Sequence, residues 1–125
     1  MFKILIYADE SIVDKFRKIV KNTLLKEELE TVATDAFPGL YGPTYGSVPI
    51  LIVPTLHHEH SYKVKELWIE VYYSAIRSPK NGQEEYANSM RNVVRKYLKE
   101  SGNEGWNVSL AVIPSPHLFM VSGHM

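Results

Sequence analysis

The sequence contains no cysteine. That absence removes disulfides, thiolate nucleophiles and cysteine-held zinc together, and with them any small secreted scaffold stapled by disulfides. Charge of one sign is also missing: 14 Lys and Arg balance 14 Asp and Glu, so no net field draws the chain to nucleic acid or to an anionic membrane. No apolar run approaches the roughly 20 residues that span a bilayer. The apolar opening Met1-Phe2-Lys3-Ile4-Leu5-Ile6-Tyr7 meets Asp9 and Glu10 too soon for a signal peptide. Glycine-rich phosphate loops, paired-histidine protease helices and nucleophile-elbow pentapeptides are absent as well. The expectation is a cytoplasmic protein with no cofactor, no membrane partner and no nucleic-acid partner. Basic residues do gather at Arg91, Arg95, Lys96 and Lys99, a grouping that fits a solvated helix face and lacks the aromatic-and-glycine company of RNA binders.

What is present is core material. Of 125 residues, 45% are hydrophobic, with eight Tyr and two Trp, enough for one domain over 1–125 that buries about two-thirds of its unfolded surface. Phe2, Ile4 and Ile6 alternate with Lys3, Leu5 and Tyr7, which predicts a strand with at least one face in the core. Ser11 and Asp14 have the spacing of a capping box. Ile12, Val13, Phe16, Ile19, Val20 and Leu24 then fall on one side at helical spacing, predicting a helix from about Ser11 to Leu29. The first unit occupies 1–33.

From 34 to 47 the texture changes, and residues 37–46 carry two prolines and three glycines. Such a loop either binds or covers something, with Tyr41 and Tyr45 as ligand-contact candidates, or is a rigid surface loop packed by its own aromatics. The second unit, 48–114, begins with a β-rich run interrupted by Pro49 and Pro54, which suits an edge or irregular strand. A stronger strand follows, Leu67, Ile69, Val71 and Tyr73 alternating with Trp68, Glu70 and Tyr72. Asn81 and Glu84 offer a second helix start. Tyr86, Met90, Val93, Val94, Tyr97 and Leu98 form its apolar stripe, and Gly102 its terminator. Trp106 to Ile113 is the last strand. The two halves parallel each other, through duplication or through convergent amphipathic patterning, and a duplicated β-α-β unit places both helices on one face of a shared sheet. The tail, 115–125, carries the apolar Leu118-Phe119-Met120-Val121, which adds a short strand to its own sheet or to a neighbour's edge.

Two clusters are candidates for chemistry. His57, His58 and His60, with Glu59, offer imidazoles that zinc, nickel or copper accept when cysteine is absent, though an exposed polar turn has the same composition. Tyr73 and Arg77 lie at the end of the strongest strand, where a guanidinium can face a small carboxylate, or simply solvent.

The repeated unit and the amino-terminal strand resemble the tautomerase superfamily, the group of 4-oxalocrotonate tautomerase, 5-carboxymethyl-2-hydroxymuconate isomerase and macrophage migration inhibitory factor. The likeness is best from Glu66-Leu67-Trp68-Ile69-Glu70-Val71 through Gln83-Glu84 and Val93-Val94 to Val108–Ile113. It implies an α+β fold, two β-α-β units making one sheet with two helices on one face, and a homo-oligomer, a trimer. The family's chemistry rests on an amino-terminal prolyl amine that shuttles a proton beside a carbonyl. Position 2 here is Phe, a bulk that prevents removal of Met1, so the expectation is a tautomerase-like small-ligand binder without that base; if the protein is an enzyme, it is an isomerase using Tyr73 or a histidine. The alternative from another class is an assembly protein, such as a phage tail-terminator-like ring subunit.

Overall fold

In the computed structural model, which describes residues 3–38, 50–55, 65–74 and 78–115, the alternating pattern becomes a four-stranded sheet. Strand β1 is Lys3–Asp9, followed by helices α1, Glu10–Asn22, and α2, Leu25–Ala36. Strands β2, Ile50–Thr55, and β3, Glu66–Ser74, come next, then helix α3, Gln83–Glu100, and strand β4, Asn107–Ser115. The strand order is β2-β1-β3-β4. β1 runs parallel to β2 with Ile6 beside Ile52, and β3 runs parallel to β4 with Ile69 beside Leu110. An antiparallel β1/β3 pair, Ile6 against Ile69, joins the two β-α-β units at the centre. Pro54 lies in β2, an edge strand, while Pro49 lies outside the described residues.

The period of two decides which face is covered. Ile4, Ile6 and Ala8 of β1 and Leu67, Ile69, Val71 and Tyr73 of β3 are all buried. Against them pack Phe16 and Ile19 of α1, Leu25, Leu29 and Ala33 of α2, and Tyr86, Met90, Val94 and Leu98 of α3. All three helices therefore share one layer.

Three helices stand where two are expected, because the first breaks at Thr23 and Leu24. Thr23 has an extended backbone, φ −130° and ψ 177°. Its hydroxyl donates to the Ile19 carbonyl and accepts from the Leu25 amide at 3.3 Å, ending one helix and starting the next. Leu24, counted above in the apolar stripe, is 63% exposed, and Leu25 takes its place in the core. α2 then continues to Ala36, into the stretch read as the start of the loop.

The caps also differ from expectation by a residue or two. Asp9, not Ser11, caps α1: its carboxylate accepts from the Ser11 amide at 2.9 Å and from the Ser11 hydroxyl. Gly82, at φ 93°, is the residue before α3, and Asn81 at φ 67° makes the preceding left-handed turn. At the far end of α3, Gly102 is the predicted terminator. Its amide bonds the Lys99 carbonyl at 3.0 Å and the Asn103 amide the Leu98 carbonyl at 2.7 Å, a Schellman ending with Gly102 at φ 78°.

Candidate functional site

Side chains of the opposite parity form a sheet face that none of the three helices covers. Register sets them in rows across the strands: Val53, Tyr7, Trp68 and Ser109 in one; Leu51, Leu5, Glu70 and Ala111 in the next; then Lys3, Tyr72 and Ile113. Leu51 is 54% exposed and Trp68 48%.

At the middle of this face the Glu70 carboxylate gathers three donors. The Trp68 indole N–H donates to Oε2 at 3.2 Å and the Tyr72 hydroxyl to Oε1 at 3.0 Å. The Tyr7 hydroxyl, from the neighbouring strand, is the third. Partial burial pushes the Glu70 carboxyl up, but the bonds from Trp68, Tyr72 and Tyr7 outweigh it and hold the group below its ordinary value. The phenols respond in the opposite sense. Burial and then Glu70 raise Tyr7, and the Glu70 bond followed by burial raises Tyr72. The Lys3 ammonium lies 5.1 Å from the Tyr72 ring centre, a cation–π contact on the same face. Glu70 is therefore an ionised acceptor, poorly suited to abstract a proton near neutral pH.

Where β1 and β2 end, this face meets a cavity of about 350 Å³ lined by Tyr7, Asp9, Thr55, Glu66, Leu67, Trp68 and Ser109. Asp9 is 1% exposed, held at the start of α1 by its bonds to Ser11. A larger cleft of about 620 Å³ lies between the end of α2 and the start of α3, with Asp35, Lys80, Glu85 and Tyr86 on its walls. On the helical layer, Glu28 accepts from Lys96 Nζ at 2.9 Å and from the Tyr97 hydroxyl at 2.7 Å, tying α2 to α3.

Of the residues singled out in the sequence, Tyr73 is described. It is 3% exposed on the helical side of β3. Its ring lies 5.3 Å from that of Phe37, and its hydroxyl accepts from the Gln83 side-chain amide. Tyr86 stands edge-on to the same Phe37 ring at 5.4 Å, and burial pushes its phenol far up. Arg77, Tyr41, Tyr45, His57, His58 and His60, with the tail 116–125, lie outside the described residues. Of the four basic residues on α3, Lys96 is engaged with Glu28, and Arg95 and Lys99 are exposed. Among the described residues no three histidine, aspartate or glutamate side chains are grouped to hold a metal, and no helix is long and apolar enough to cross a membrane.

Sequence reasoning missed the Glu70 cluster. Its signal was present in part, since Trp68, Glu70 and Tyr72 recur every second residue and share a face. Tyr7 joins them only through the β1/β3 register.

No protein-family model matches the sequence, and no curated protein does either. The fold is similar to that of a crystal structure of 5-carboxymethyl-2-hydroxymuconate delta-isomerase. The TM-score is 0.59 at 14% identity, over 94% of this chain and 83% of that one. The chain therefore has a tautomerase-like α+β fold, as its layout suggests.

Proposed function

We propose that the protein is a tautomerase-like homo-oligomer, a trimer, that binds a small carboxylate and does not use prolyl-amine chemistry. The observation that carries the assembly is a sheet face that none of the described helices covers. A sheet with helices on one side only leaves its other face to water or to a second protein surface. Here that face presents Leu5, Leu51, Val53, Trp68 and Ile113 around a carboxylate already supplied with donors. Glu70 can go into an interface with its acceptors occupied, so its desolvation costs less than that of a bare carboxylate.

The reading of the chemistry rests on what precedes β1. Met1 and Phe2 stand there, and neither carries the secondary amine of the family's proton shuttle. Arg77 is the proposed partner of the carboxylate, with Tyr73, Tyr41 and Tyr45 the other contact candidates and the cytoplasm the proposed compartment. The ring-subunit alternative draws no support from the matched isomerase structure.

Light scattering on a sizing column tests the assembly: three times the 14.3 kDa chain mass is expected, and a monomer refutes it. A phenylpyruvate-type enol tests the chemistry. No ketonisation above the buffer rate is expected, and turnover that survives replacement of both Tyr73 and the histidines would show that a base has been overlooked.

A further inference from the structure

The cavity at the ends of β1 and β2 differs in chemistry from a carboxylate site. Two of its walls are the rings of Tyr7 and Trp68, cross-strand partners on the two central strands. Asp9 and Glu66 contribute carboxylates, Thr55 and Ser109 hydroxyls, and among its described lining residues there is no lysine, arginine or histidine. By the two-residue period Asp9 and Glu66 continue the open face one row beyond Tyr7 and Trp68, and Glu70 lies one row behind them. An anion entering this space would meet the carboxylates of Asp9 and Glu66, whereas a cation would meet them together with two aromatic residues.

Both rings are polarised in the helpful direction. The Tyr7 hydroxyl and Trp68 indole N–H donate to the Glu70 carboxylate, which pushes electron density back into each ring and strengthens its attraction for a cation. The same face already holds one ammonium over a ring polarised in this way, Lys3 over Tyr72 at 5.1 Å. Asp9 is partly committed to the amino terminus of α1, so the exposed Glu66 supplies the more available charge. A metal ion would need several converging oxygens or imidazoles, and the described residues offer no such group. The position suits a ligand site, at the carboxyl ends of parallel strands β1 and β2, and is the end of β1 opposite Met1 and Phe2.

We propose that this cavity binds a small organic cation with an alkylammonium head, seated against Tyr7 and Trp68 and facing Glu66. Tyr7 and Trp68 also belong to the face proposed above as the assembly surface, so the cavity lies beside that surface; it is separate from Tyr73, which is buried on the helical side of β3.

The test is a titration of the ¹⁵N-labelled full chain with choline and, separately, with 3,3-dimethylbutan-1-ol, its uncharged isostere of the same shape. The Trp68 indole N–H is the reporter and the buried Trp106 indole the internal control. Choline should shift the Trp68 signal saturably at millimolar concentration without moving Trp106, and should bind at least about fivefold more tightly than the alcohol. Glu66→Gln, a change at an exposed position, should weaken choline about threefold or more while leaving the light-scattering mass unchanged. Equal binding of the two probes would make the cavity merely apolar and overturn the proposal. Absence of a saturable Trp68 shift would also overturn it, as would a Glu66→Gln variant that binds choline unchanged. A monomeric protein that still binds choline would refute the assembly and leave this inference standing.

Discussion

Replacing Glu70 with Gln keeps the shape of the side chain and removes its charge, which isolates the role of the carboxylate on the open face. In the wild-type chain two oxygens serve three donors, from Trp68 at 3.2 Å, Tyr72 at 3.0 Å and Tyr7. The amide has one acceptor oxygen and turns an NH₂ toward the rest, so at least one donor is left to water and the others lose charge assistance. A charge-assisted bond contributes about 1.5–3 kcal/mol and a neutral one about 0.5–1.5. Because solvent reaches this face and takes up the stranded donor, the expected net loss is only about 1 kcal/mol for a free subunit. For a chain of this length that lowers Tm by about 3–5 °C.

The pH dependence gives the sharper test. The folded Glu70 carboxyl lies below its ordinary value of 4.5. Its stabilisation is therefore complete above that value and is lost as pH falls through the lower, folded one. Urea denaturation of wild type and Glu70→Gln should show a gap that is constant from pH 6 to 8 and closes as pH is taken toward 3. A gap that persists unchanged at pH 3 would refute the argument, and so would a variant as stable as wild type at pH 7.

Two further perturbations follow from local geometry. A Cβ added at Gly102 or at Gly105 meets no atom within 4 Å, so their alanine variants differ only through the backbone: Gly102→Ala at φ 78° should cost about 1 kcal/mol, and Gly105→Ala should gain about 0.5 kcal/mol by restricting the unfolded chain, both read from urea midpoints. Glu28 lies below the ordinary carboxylate value because Lys96, then Tyr97, bond to it; Glu28→Gln should lower Tm at pH 7, with the difference disappearing as pH falls below the carboxylate range.

How much of this was legible in the chain depends on how far each feature reaches. The strands read directly, because Ile4 and Ile6, and Leu67, Ile69 and Val71, recur every second residue. α3 read equally well, its stripe ending at Gly102, where the left-handed backbone is met by the residue type that tolerates it. The break after Asn22 did not, since Leu24 suits the stripe of one continuous helix. Only the packing of Leu25 against the sheet, with Leu24 left 63% exposed, shows that the chain changes direction there.

The candidate site divides in the same way. That Trp68, Glu70 and Tyr72 share a face is local, since the β-strand repeat enforces it wherever the strand lies. That Tyr7 stands beside Trp68 and donates to Glu70, and that Asp9 and Glu66 close the same cavity, depends on the antiparallel register of β1 with β3. A slip of one residue would turn Tyr7 into the core. The sequence by itself determined where the central strands lie and where α3 ends, because those preferences act within a few residues. The tertiary structure alone decided where the first helical stretch breaks and which aromatics assemble on the open face, because both follow from contacts between segments distant in the chain.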